Sequence, residues 1–176
     1  GMKLFYGKAQ CVSCHSGKLQ TDHQFHALML PQFGPGRTRR FEHIARDRGR
    51  LNESDRLEDS YRFRTPSLRN VAATGPYGHN GAYPTLEAMI RHHMDPPAAR
   101  QSWSLDDADL PNAPWLAAVD AAISQDTAEL ARQARAQDID IPHLTDAEIA
   151  DLVAFLNALT GTNVNQRPLG KPHLVP

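Results

Sequence analysis

The stretch "LFYGKAQCVSCHSGKLQTD" (residues 4–22) decides how this chain is read. Cys11, Cys14 and His15 spell Cys-x-x-Cys-His, the spacing by which a c-type haem is attached. Two thiols must lie close enough to add to the two vinyl groups on one porphyrin edge. A His directly after them sets an imidazole under the iron, which makes His15 the candidate proximal ligand. Two other chemistries share part of the pattern. A redox dithiol of thioredoxin type expects a βαβ context, and no convincing strand pattern surrounds the motif. A zinc site takes four ligands, and no second Cys pair or spaced His pair is obvious. A structural metal held by Cys11, Cys14 and a His is the remaining alternative.

Both Cys of the 176-residue chain lie in this motif, so a multi-disulfide scaffold and a tetrathiolate site are excluded. The length suits one domain that buries about 70% of its unfolded surface. A net charge of -1 gives no global field toward nucleic acid or an acidic membrane. No window approaches the ~20 apolar residues of a membrane span. Gly1-Met2 reads as a cloning remnant, so the chain is expected to be trimmed and the lack of a visible leader carries no message. Charge is nevertheless uneven. "RTRRFEHIARDRGR" (37–50) sets six Arg against two acids, and Arg56, Arg62, Arg64 and Arg69 follow. The bland reading is a solvated face. The functional one is anion pairing, since the planar guanidinium fork suits carboxylates such as haem propionates.

Outward from the motif, the pattern predicts an all-α domain with long irregular loops. "MKLFYGKA" reads as the tail of a helix. Residues 16–84 are punctuated by Gly34-Pro35-Gly36, Thr65-Pro66, Gly75-Pro76, Asn80-Gly81 and Tyr83-Pro84, which leaves no room for long periodic elements. "TLEAMIRHHM" (85–94) is a helix, with Thr85 as N-cap and "DPP" ending it. A Pro-broken segment and an Ala-rich helix over 114–137 form an excursion before the last helix. In "LTDAEIADLVAFLNALTG", Thr145 and Glu148 form a capping box and Gly161 fits the C′ position. Residues 1–161 are expected to form the domain, and 162–176 a Pro-rich extended tail.

A sixth iron ligand would come from a His or Met on an apolar face. At about 100° per residue, Leu86, Met89, Ile90 and His93 share one face of the 85–94 helix, with Met94 at its edge and His92 on the far side. A His in an apolar stripe is ordinarily a satisfied core residue. With an iron to satisfy, His93 is the candidate distal ligand, Met94 the alternative, and Met89 packs against the haem.

With these pieces placed, "LFYGKAQCVSCHSG", "TDHQFH", "GPGR", "DRLEDSYRFRTPSLRNVAATGPYGHNGAYPTLEAMI" and "LTDAEIADLVAFLNALTG" resemble the C-terminal haem domain of the bacterial di-haem cytochrome c peroxidases and the MauG-like proteins. The resemblance implies a cytochrome c-like fold with the last helix packed on the helix before the Cys motif. It implies one covalent haem c that passes electrons to a peroxide-reacting haem in an N-terminal domain, and a c-type haem in turn points to a bacterial periplasm. The family's sixth ligand, a Met or a Tyr, follows the "TL" motif by seven residues, which lands on His93. A calcium site around "TGP" (Thr74, Pro76) is implied only together with a partner domain. Arg64, Arg69 and Asn70 are candidates for contact with the propionates or the haem edge. His79 matches a family His near the haem, with a loop-stabilising hydrogen bond as its bland reading.

Three functions are therefore open. The first is an electron-transfer haem domain whose partner is a redox protein or an N-terminal peroxidatic domain, with no nucleic acid involved. The second is a mono-haem enzyme that reacts with peroxide by itself, using His79 or His92 as acid or base. The third is the non-haem metal domain.

Overall fold

The computed structural model describes residues 1–34, 46–110, 114–115 and 121–162. Its longer described helices start where short polar side chains can accept the first free N–H groups. Helix α1 (Met2–Tyr6) leads into a 3-10 turn over Cys11–Ser13, and α2 (Leu51–Ser54) is a single turn. Helix α3 (Leu86–Met94) begins at Thr85, whose side chain accepts from Ala88 N–H. Asp95 then ends α3 and caps α4 (Pro96–Ser102) through Ala98 N–H, with Pro at its first positions. The Pro-broken segment is thus a helix that the sequence reading leaves out.

The Ala-rich stretch over 114–137 is not one helix among its described residues. A 3-10 turn (Ile123–Gln125) closes at Asp126, whose carboxylate accepts from Ala128 and Glu129 N–H and starts α5 (Thr127–Ala136). The last helix, α6 (Asp146–Ala158), carries the reciprocal Thr145–Glu148 box. Gly161 does not take the C′ role. Leu159 ends the helix in a right-handed conformation, and Gly161 N–H donates to Asn70 Oδ1 at 2.9 Å.

Two strands appear where none is expected. β1 (Phe25–His26) pairs antiparallel with β2 (Phe63–Arg64), so that Phe25 faces Arg64 and His26 faces Phe63. Two residues a side are too few to show an alternating pattern. Helix α1 packs on α6 as the resemblance implies, with the Phe5 and Phe155 rings 5.1 Å apart. Phe5, Val71, Leu144, Ile149, Leu152 and Leu156 form one buried cluster, against which Leu86, Ile90 and Met94 of α3 pack. Phe33, Ala82, Tyr83 and Trp103 form a second, against which Met89 packs. The expected apolar stripe of α3 is therefore shared between two clusters, and His93 lies on the arc between them. The tail beyond 162, the Arg run over 37–45, Pro35-Gly36 and residues 116–120 lie outside the described residues.

Candidate haem site

The Cys motif folds as one tight turn. Gln10 takes a left-handed conformation (φ 53°), and His15 N–H closes back on Cys11 O at 2.8 Å. Gly17, at φ 73°, reverses the chain so that Thr21 N–H reaches Ser16 O. Thr21 Oγ1 then donates to Thr65 O at 2.7 Å, which ties the motif to the "RTPSLRN" loop. Both Cys are free thiols. Burial pushes the Cys11 thiol up to about 11, and burial together with the charges of Asp22 and Asp138 raises that of Cys14. Neither is a poised thiolate, which argues against an activated redox dithiol.

His15 places Nδ1 3.2 Å from Gln20 O. His93 donates Nδ1–H to Met89 O at 2.8 Å, one turn back on α3. Among the described residues no hydrogen bond engages His93 Nε2. Burial lowers both imidazoles, that of His93 to about 4, and a charge on His15 lowers His93 further. The two rings are close enough to feel one another, and both are neutral at pH 7. Each lies deep among protein atoms yet keeps some accessible surface. A neutral imidazole with one nitrogen bound to a carbonyl and the other free is the form that ligates a metal.

The neighbours of His93 are committed elsewhere. His92 is fully buried, donates Nε2–H to Leu28 O at 2.6 Å and accepts from Tyr83 O–H at 2.7 Å. Burial lowers it to about 4. Placed by the sequence on the far side of α3, it is a satisfied core histidine. Met94 Sδ accepts from Leu144 N–H at 3.3 Å.

The other sequence candidates are scattered. Arg64 is exposed and reaches His23 Nδ1 and Thr65 O, each at 3.3 Å. Arg69 is exposed. Asn70 spends its carbonyl oxygen on Gly161, and Thr74 Oγ1 donates to Val71 O at 3.0 Å. Gly75-Pro76 is cis. Several arginines pair with the protein's own acids, Arg50 with Asp59, Arg56 with Glu58 and Arg62 with Asp138. His79 gains a partner that the sequence did not suggest. Its Nε2 lies 3.2 Å from Asp47 Oδ2, and its ring packs 4.2 Å from Phe63. Asp47 in turn accepts from Gly49 N–H and Asn52 Nδ2.

Sequence reasoning also passed over His26. Quoted in "TDHQFH" but given no role, it stands beside Cys14, with Sγ and Nε2 3.7 Å apart. Asp22, four residues earlier, approaches the same nitrogen at 3.3 Å, and Asp138 lies 3.8 Å from Nδ1. The i, i+4 acid–His spacing was the available signal. The Asp138 contact spans 112 residues of chain and left no local trace.

The residues present fit a c-type haem on their own chemistry. Two un-ionised thiols share one turn, an imidazole follows directly, and a second neutral imidazole with an open Nε2 lies in electrostatic reach. Comparison with known proteins agrees. No protein-family model matches the sequence. A cytochrome-c peroxidase of Denitromonas iodatirespirans is 38% identical over 51% of this chain and 29% of its own length. MauG of Methylophilus methylotrophus is 35% identical over 56% of this chain and 26% of its own. MauG of Paracoccus denitrificans is 31% identical over 85% of this chain and 39% of its own. The chain thus spans well under half the length of these relatives and matches their C-terminal parts. Among solved structures, a MauG-like protein associated with microbial copper homeostasis superposes with a TM-score of 0.59 at 27% identity, over 92% of this chain and 46% of that one. The diheme peroxidase BthA of Burkholderia thailandensis gives 0.58 at 26% identity, over 96% and 43%. From the motif turn to the last helix, the chain belongs to the di-haem cytochrome c peroxidase and MauG-like family and corresponds to the C-terminal parts of its members.

Proposed function

We propose that this domain carries one haem c and relays electrons, working with a second, peroxide-reacting haem domain or with a separate redox protein in the bacterial periplasm. Cys11 and Cys14 would hold the porphyrin through thioethers, and His15 and His93 would ligate the iron through Nε2. The single observation that carries this reading is His93. It is neutral and deep, pinned at 2.8 Å to Met89 O, and close enough to His15 for charge on one to disfavour charge on the other. When bound, the haem supplies reversible one-electron chemistry whose potential the axial ligands set. The chain's own contribution is orientation. The Nδ1–H to carbonyl bonds fix each ring and raise its ligand strength. Two imidazoles give a lower potential than a His/Met pair.

The test is spectroscopic. Protein matured in a host competent for c-haem should give a pyridine haemochrome of the covalent type and a low-spin ferric spectrum. His93→Ala should turn that spectrum high-spin, and His93→Met should restore low spin with a red-region charge-transfer band. An unchanged spectrum in His93→Ala removes His93 from the iron.

The contact between His79 and Asp47 favours a second reading, in which the chain itself reacts with peroxide. A carboxylate beside an imidazole is the arrangement of a general base. Peroxide turnover by this chain alone, lost in His79→Gln, would establish it in place of pure relay.

A further inference from the structure

Cys14, Asp22 and His26 bring three donor atoms of different chemistry to one point, all within 4.8 Å of one another. We infer that, before haem is attached, the chain binds a zinc-type divalent cation through Cys14 Sγ, His26 Nε2 and Asp22 Oδ2. This site uses a thiol of the haem motif, but not His15 or Cys11; Zn²⁺ binding by the haem-free chain stands without the haem reading, and only its loss on maturation rests on that reading.

The spacing matches a metal more closely than chance contact requires. A tetrahedral ion with bonds of ~2.1 Å to N and O and ~2.3 Å to S sets its ligand atoms roughly 3.4–3.6 Å apart. The protein has 3.7 Å between Cys14 Sγ and His26 Nε2, and 3.3 Å between that nitrogen and Asp22 Oδ2. Solvent water completes the fourth position. The surroundings supply a second, independent sign. A metal-binding imidazole commonly offers its other N–H to a carboxylate, and His26 Nδ1 faces Asp138 Oδ2 at 3.8 Å. Asp138 is held there by Ala27 N–H at 2.8 Å and by Arg62. Asp22 is held likewise, since its Oδ1 accepts from Gln24 N–H at 2.8 Å and leaves Oδ2 for the site.

Charge points the same way. The Asp22 and Asp138 carboxylates flank the His26 ring from both sides, a negative setting that favours a divalent cation. On binding, Zn²⁺ bonds to Cys14 Sγ, one proton leaves the thiol for solvent, and His26 takes the tautomer protonated on Nδ1. No electron is transferred. The consequence for maturation is direct, because a thiolate held by zinc is not free to add to a vinyl group. Attachment of haem converts the same sulfur to a thioether and destroys the site.

The experiment uses the full chain produced without c-haem maturation and titrated with Zn²⁺ against a chromophoric chelator. One equivalent should bind, and Co²⁺ in its place should show thiolate-to-metal charge transfer. Asp22→Asn, which keeps the turn to Gln24 but removes the charge, and His26→Ala should each weaken Zn²⁺ at least tenfold. Asp138→Asn should weaken it about 10- to 100-fold, the range for a group that orients a ligand. Chain carrying covalent haem should bind at least tenfold more weakly than haem-free chain. Equal affinity in Asp22→Asn and wild type, absence of the thiolate band, or a haem-free chain that stays unfolded with and without Zn²⁺ overturns the proposal. Failure of haem to attach leaves the haem-free titrations intact, so the two readings fail separately.

Discussion

His92 and His93 are adjacent in sequence, are lowered to the same degree, and differ in every contact that matters. Both fall to about 4 through burial, so both stay neutral. His92 uses both nitrogens inside the protein, whereas His93 uses one. Sequence periodicity could put His93 on an apolar face but could not tell a saturated imidazole from an open one. That distinction rests on Tyr83 O–H and Leu28 O reaching His92 from other parts of the chain. Tyr83→Phe should therefore leave His92 Nδ1 buried without a donor and cost about 1–3 kcal/mol in denaturant titrations. The haem spectrum should not move. The pH dependence of His92 has a definite sign. Its folded value lies below the ordinary 6.5, so the unfolded chain takes up the proton first and stability drops as pH falls from 6.5 toward 4. The full span is worth about 3 kcal/mol. Chemical denaturation of His92→Asn at pH 7 and pH 5 should show a smaller acid loss than wild type. Equal losses would assign the acid sensitivity elsewhere.

The elements written in local code were legible, and those written across the chain were not. The Thr85 cap and the Thr145–Glu148 box need only four residues each to be seen, and both stand in the structure. Asp95 escaped notice because the reading stopped at the Pro that ends α3, although the same Pro pair suits the first turn of a new helix. Asp126 sits inside an Ala-rich run whose summed propensity hides one strong cap. Gly161 looked like a terminator by position, yet Asn70, left-handed at φ 58° and ninety-one residues away, holds that helix end. Thr145→Ala should cost about 1 kcal/mol by removing the cap, read as a shift in the denaturation midpoint with an unchanged slope. Gly49→Ala should cost more, about 2 kcal/mol or above. Gly49 has φ 60°, and an added Cβ would stand 2.4 Å from Arg62 O, so strain and clash add. Its loop also carries Asp47, so this variant should loosen the contact between Asp47 and His79. An NMR titration of His79 would read that change.

At the scale of the whole molecule, the described residues form two apolar clusters bridged by α3, and helix α5 docks beside them by charge. Helix α5 brings Glu129 to 1% exposure, and its Oε2 lies 2.7 Å from Arg132 and 3.5 Å from Arg46. Burial and the Glu129 carboxylate together raise the Tyr61 hydroxyl, which places that phenol in the same contact. Gln133, one turn on, is 2% exposed. Helix α5 is therefore held by a buried polar face rather than by the two apolar clusters, which is why its Ala-rich composition says so little about where it packs. Removing one side of a buried pair is costly because the remaining charges lose their compensation. Here both arginines keep solvent contact, which moderates the loss. Glu129→Ala should accordingly destabilise by about 1–3 kcal/mol, and the damage should be local. Amide hydrogen exchange should accelerate over 127–136 while the amides of α1 and α6 keep their protection. The low-spin spectrum proposed for the haem-loaded chain should be unchanged. Loss of that spectrum in Glu129→Ala would show that helix α5 supports the proposed iron ligands directly, and that the two clusters do not carry the site unaided.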